Sequence, residues 1–167
     1  MSPDSGAIQL PGGMRISHLR QQLPSGTETR SLLDYVADAI PELREYAARI
    51  AEIDHLLAEL PSDSPNLPAL LREHGELESR YAALDGYHLR NNAKTALSGL
   101  GFHPEAFSAR LTSFSGGWQM RAQLARVLVA NPDILLLDEP SNYLDIPAVE
   151  WLCRYLKSFQ GTLLLIS

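Results

Sequence analysis

The chain has 167 residues, a formal net charge of −6 and 45% hydrophobic residues, enough apolar surface for a packed core and too much for wholesale disorder. Its acidity gives no support for broad nucleic-acid binding. The single cysteine, Cys153, excludes an internal disulfide and fits a reducing compartment, and no apolar run approaches the roughly 18 residues of a membrane span. No signal peptide is read at the N-terminus, so the expectation is a cytoplasmic protein.

In chain order, AIQL and RISHL flank Pro11-Gly12-Gly13 and predict a β-hairpin. From Ser31 to about Gly101 the pattern is helical. Leu33, Val36, Ile40, Leu43, Ala47, Ile50 and Leu57 form a 3-4 stripe that Asp54 interrupts, with Pro41 at the first turn of a new helix reaching Leu60. The breaker-rich run PSDSPNLP is a loop. A second stripe, Leu70, His74, Leu77, Tyr81 and Leu84, then completes an antiparallel helical hairpin. Packing of these helices directly onto a core fits the pattern nearly as well as a projecting hairpin. A further helix spans roughly Leu89 to Leu100 and ends at Gly99 or Gly101.

From Leu111 onward helix and strand alternate. SGGWQMRAQLARVLVA and IPAVEWLCRYLKSF are helices; ILLLD and TLLLIS are continuous apolar strands, as in a parallel sheet buried on both faces. The five histidines have no metal-ligand spacing, and Trp151 fits a core stripe with Val149, Leu152 and Leu156.

Two features carry chemistry. Asp138 and Glu139 stand where a parallel strand ends, the edge at which α/β sheets collect ligands. Alternation along the strand would turn the two carboxylates apart, one toward a hard cation such as Mg²⁺ and the other toward a water attacking a phosphoryl group. A strand that simply ends in a polar turn fits this pair alone equally well. Upstream, Ser115 is a good N-cap for a helix that Trp118 or Gln119 begins, and Gly116-Gly117 leave amides bare at a positive helix end, a site suited to phosphate. The two features together favour nucleotide chemistry.

The stretch FSGGWQMRAQLARVLVANPDILLLDEPSNYLD resembles the signature helix, Walker B strand and D-loop of ATP-binding cassette ATPases. The Trp after Ser-Gly-Gly, the Met-Arg beyond it and EWLCRYLKSFQGTLLLIS resemble the ABC-F family, which has two cassettes and no membrane domain. RISHLRQQLP is similar to the segment ending in the Q-loop, with Gln21 at the glutamine position, and SPDSGAIQL to the strand region after the first Walker helix.

The resemblance implies an α/β fold: a partial ABC-type nucleotide-binding domain with a parallel sheet core and an inserted helical hairpin, the arm. Residues 1–30 would hold N-terminal strands and Q-loop, 31–101 the arm and helical subdomain, and 102–167 the signature helix, Walker B, D-loop and following strand. It implies ATP and Mg²⁺ as cofactors, with Asp138 and Gln21 at the metal, Glu139 as general base, and Gln21 also sensing the γ-phosphate. Ser115, Gly116 and Gly117 would bind ATP held by a second cassette of the same protein, and Asp145 would close the D-loop between the two.

It also implies action on the ribosome or tRNA, to which charge adds nothing. The arm's Arg44, Arg49, Arg72, Arg80 and Arg90 are accompanied by Glu42, Glu45, Glu52, Asp54, Glu59, Glu73, Glu76 and Glu78, a mixed-charge surface and no basic patch.

Ser141 and Tyr143 replace the usual Thr and His of the D-loop. There is no G-x-x-x-x-G-K-[ST] loop, since Lys94 and Lys157, the two lysines, do not follow glycine. The expectation is therefore a fragment of a longer ATPase, lacking Walker A and the switch histidine and inactive alone. The alternatives are the ATPase subunit of a membrane transporter, against which Trp118 and the hairpin argue, and a non-hydrolysing regulatory remnant.

Overall fold

The structure is a computed structural model and describes residues 9–19, 29–61 and 64–166. Its elements in chain order are β1 (Ile16–His18), α1 (Leu32–Ala37), α2 (Pro41–Glu59), α3 (Leu67–Ala83), α4 (Leu89–Gly99), two short 3₁₀ turns, α5 (Gly116–Val129), β2 (Ile134–Asp138), α6 (Ile146–Ser158) and β3 (Thr162–Ile166). The sheet is parallel in the order β1-β2-β3, with Ile16 opposite Ile134 and Leu136 opposite Leu164.

The expected AIQL–RISHL hairpin is not what organises this region. Gln9 and Leu10 are not in a strand, Ala7 and Ile8 lie outside the described residues, and β1 pairs in parallel with β2. The apolar run of β2 offers β1 a continuous parallel ladder, which a segment broken by Pro11 does not.

Helix starts follow their local signals. Ser31 accepts from the Asp34 amide at 3.1 Å and caps α1, and Pro41 opens α2. The α2–α3 hairpin keeps Leu43, Ile50 and Leu57 of the expected stripe, and departs from it at Ala47 and Asp54. Leu43 and Ile53 are buried in α2, and Tyr46, Ile50 and Leu57 are half-buried between them, so the true spacing is 43/46/50/53/57. Ala47 is exposed, and Asp54 interrupts nothing: it flanks the seam and pairs with His74 of α3 at 2.9 Å. Arg49 adds a bidentate bridge to Glu73 at 2.6 and 2.9 Å. α3 has no fully buried residue, and Ile53, although fully buried, stands apart from the main core. The hairpin therefore closes on itself and projects.

The core is built by α1, α4 and α5 against one face of β2. Leu32, Val36, Leu97, Leu124, Leu128 and Leu135 are all at 0 or 1% exposure. α4 stops at Gly99, and Gly101 takes the left-handed conformation (φ 92°) that carries the chain away. α6 packs on α4 through Trp151, whose ring lies where a side chain at Gly99 would stand.

The expectation that both late strands are buried on both faces is corrected for β3. Leu163 to Ile166 are 36 to 59% exposed, because β3 has a single neighbouring strand and no element among the described residues buries its side chains. An apolar edge of this kind templates association. Size-exclusion chromatography of this polypeptide is expected to show concentration-dependent oligomers, and Leu164→Lys with Ile166→Lys to shift it toward monomer. An unchanged elution profile in the double variant would exclude β3 as the contact.

Candidate functional site

β2 delivers Asp138 to the carboxyl edge of the sheet, where it is exposed and has no ion-pair partner among the described residues. Glu139 follows outside the strand. It adopts φ 44°, a left-handed conformation that costs a non-glycine residue about 1 kcal/mol or more. That turn, rather than strand alternation, separates the two carboxylates. The turn is held from two sides: the Glu139 amide donates to the Ile166 carbonyl at 2.7 Å, and the Asn142 side-chain amide donates to Glu139 Oε2. Asp138 and Glu139 line one cavity of about 250 Å³, together with Leu19, Asn142, Tyr143 and Arg121.

Ser115 occupies the N-cap of α5, and its carbonyl accepts the Gln119 amide at 2.9 Å. The helix thus begins at Gly116, earlier than the expected Trp118 or Gln119, and the Ser115 hydroxyl makes no cap bond. The amides of Gly116, Gly117 and Trp118 therefore precede the first intrahelical donor, the Gln119 amide. Ser115 and Gly116 are exposed, and a Cβ built on Gly116 would meet nothing within 4 Å, so the helix mouth is open. At Gly117 the Tyr143 ring stands 3.4 Å from such a Cβ. Ser115, Gly116 and Gly117 do not line the cavity of Asp138 and Glu139. This chain holds an anion-suited helix end and a carboxylate pair as two separate places.

Asp145 is engaged within the chain. Its Oδ1 caps α6 by accepting the Ala148 amide at 3.0 Å, and its Oδ2 accepts from Arg121 at 3.1 Å. The Ala148 amide first, then the guanidinium, hold its carboxyl below the usual carboxylate range. Gln21 lies outside the described residues.

Two residues at this site were given no role from the sequence. Asn142 holds the Glu139 carboxylate, and Arg121 lies under the Trp118 ring, 4.4 Å from its centroid. The i, i+3 spacing of Trp118 and Arg121 was a readable signal for the second; for Asn142 there was only its place in the turn.

Among the described residues no group of three His, Cys, Asp or Glu could enclose a metal. An exposed carboxylate pair free of ion-pair partners suits Mg²⁺ nonetheless, because that ion takes one or two carboxylates and completes its shell with waters and phosphate oxygens. No helix of the described residues is long and apolar enough to cross a membrane.

Residues 1–142 match the ABC transporter family. The chain is 37% identical over 167 residues to YheS of Escherichia coli (strain K12), covering all of this chain and 24% of that protein. It is 38% identical over 164 residues to the ATP-binding protein Uup of the same strain, covering 98% and 24%. To GCN20 of Saccharomyces cerevisiae it is 36% identical over 174 residues, covering 96% and 23%. The chain thus spans about a quarter of the length of these relatives. Among solved structures, an ATP-binding subunit of an ABC transporter superposes with a TM-score of 0.54 at 15% identity, covering 90% of this chain and 47% of that one. An archaeal ribosome recycling factor, solved with the ribosomal stalk protein aP1, superposes with a TM-score of 0.53 at 19% identity, covering 99% and 24%. These two likenesses concern the fold alone.

Proposed function

The chain belongs to the ATP-binding cassette family, in its ABC-F branch, and from that premise we propose that it is part of a two-cassette ATPase that binds and hydrolyses ATP to act on the ribosome. The observation that carries the ATPase reading is the Asp138–Glu139 turn, with one carboxylate free at the sheet edge and its neighbour strapped by Asn142 and the Ile166 carbonyl. Residues 1–30 would supply strand and Q-loop, 31–101 the arm and helical subdomain, and 102–167 the signature helix, Walker B and D-loop. The ribosome as target, and a cytoplasmic location with it, rest on the family resemblance.

In this reading Asp138 and Gln21 would hold Mg²⁺, which when bound would supply positive charge to offset that of the phosphates. Glu139 orients a water and takes its proton as the water oxygen attacks the γ-phosphorus; the bond to the β-phosphate oxygen breaks, leaving ADP and phosphate. The sequence holds no G-x-x-x-x-G-K-[ST] loop, so the phosphate cradle for this ATP comes from outside these residues and the polypeptide alone does not turn over ATP. The bare amides after Ser115 receive the γ-phosphate of ATP held by the second cassette, an anion at a positive helix end. Asp145, by anchoring α6, fixes the loop that lies between the two cassettes.

The test is Gly117→Asp in the full-length protein. A carboxylate in the helix mouth repels the phosphate, and its Cβ meets the Tyr143 ring at 3.4 Å, an ordinary contact, so the effect is electrostatic. Steady-state hydrolysis is expected to fall about 10²-fold, as for loss of a preorganised oxyanion site. ATP binding to the isolated cassettes, read with a fluorescent analogue, stays within about twofold. Hydrolysis at the parental rate would exclude the helix mouth as a phosphate site.

A further inference from the structure

We propose that Arg121 is a positioning residue that ties the phosphate-facing end of α5 to the loop carrying Glu139, so that loss of the guanidinium misplaces the base without touching ATP. The inference rests on the ATPase reading above.

Arg121 is one turn into α5, with its side chain only 11% exposed. Its Nε donates to the Tyr143 carbonyl at 2.5 Å. One terminal nitrogen donates to the Leu100 carbonyl at 3.3 Å and to Asp145 Oδ2 at 3.1 Å. The guanidinium plane covers Trp118, the third residue of α5. A side chain at Gly101 would reach within 3.0 Å of the same nitrogen, so the left-handed glycine leaves room for the group. One planar cation thus joins the end of α4, the first turn of α5 and both ends of the segment from Tyr143 to Asp145. Asn142, the residue immediately before that segment, holds Glu139 through its side chain. The route from helix mouth to base is four residues long: Trp118, Arg121, Tyr143 and Asn142.

Lysine does not replace this arrangement. A single ammonium cannot address three acceptors in the directions fixed by a planar fork while stacking on an indole.

The experiment uses the full-length protein with Arg121→Met, Arg121→Lys, Asn142→Ala and the Arg121→Met/Asn142→Ala double variant, reading kcat, KM for ATP and amide exchange. Both Arg121 variants are expected to lose about tenfold in kcat, with KM within about twofold, since displacement of a reacting group by a fraction of an ångström is enough. The double variant should be no slower than the slower single variant, because Arg121 acts through Asn142; two independent packing defects would multiply instead. The amides of Asn142 and Leu144, which donate to Glu139 and Ser141, should exchange about tenfold faster in both Arg121 variants while α5 keeps its protection. Multiplicative losses, parental exchange at Asn142 and Leu144, or loss of protection throughout α5 and α6 would each overturn the proposal. If the parent protein does not hydrolyse ATP, the ATPase reading fails, and the exchange pattern still decides whether Arg121 holds the loop.

Discussion

Glu139→Gln in the full-length protein is expected to reduce kcat for ATP hydrolysis by about 10²-fold or more, the range over which a general base contributes. The substitution changes little else. Glutamine has the same length, its carbonyl oxygen can still accept from Asn142, and the bond from residue 139's amide to the Ile166 carbonyl does not involve the side chain. What disappears is the capacity to take a proton from water at neutral pH. Nucleotide binding should therefore survive within about twofold, and the variant should accumulate with ATP bound. Single-turnover hydrolysis and a filter-binding assay separate the two quantities. A parental rate in the variant would remove Glu139 from the mechanism and leave Asp138 and Glu139 as a polar strand end.

Gly99→Ala is the structural substitution with the largest expected effect. A Cβ at this position would lie 2.0 Å from the Trp151 ring, far inside contact distance, and the indole also stacks on Tyr155 with centroids 5.5 Å apart. The Tyr155 hydroxyl in turn donates to the Leu128 carbonyl at 2.7 Å. The ring cannot swing away without disturbing the α4–α6 contact, so the expected cost is about 3 kcal/mol, the upper end for overpacking. Urea unfolding followed by tryptophan fluorescence measures it. Trp118 and Trp151 are the two tryptophans, and a Trp118→Phe background assigns the signal to the α4–α6 contact. Trp151→Leu combined with Gly99→Ala, followed by far-UV circular dichroism because the indole is gone, should recover part of the loss, as coupled neighbours do. A midpoint unchanged by Gly99→Ala would mean that α6 is free to shift.

The readings that held were those in which one local cause acts alone. Pro41 opens a helix because its missing amide hydrogen is not needed there, and β2 reads as an apolar run because Leu135 and Leu137 are buried. The α2 stripe held at Leu43, Ile50 and Leu57 and missed at Ala47, because Ala47 and Tyr46 are both plausible apolar partners in a pattern. Only the tertiary structure, in which Tyr46 is half-buried against the main core and Ala47 is exposed, tells them apart. The β1 hairpin failed for a related reason: turn chemistry at Pro11-Gly12-Gly13 is local, whereas the strand that pairs with Ile16–His18 lies more than a hundred residues away.

By itself the sequence determined the alternation of helix and strand after Leu111, the carboxylates at a strand end and a glycine-opened helix upstream, because each depends on spacing and residue type over a few positions. Only the tertiary structure decided that Glu139 leaves β2 in a left-handed turn, that Asn142 holds its carboxylate, and that Arg121 joins three segments. Those features depend on side chains and carbonyls brought together from distant parts of the chain, and no periodicity records which of them meet.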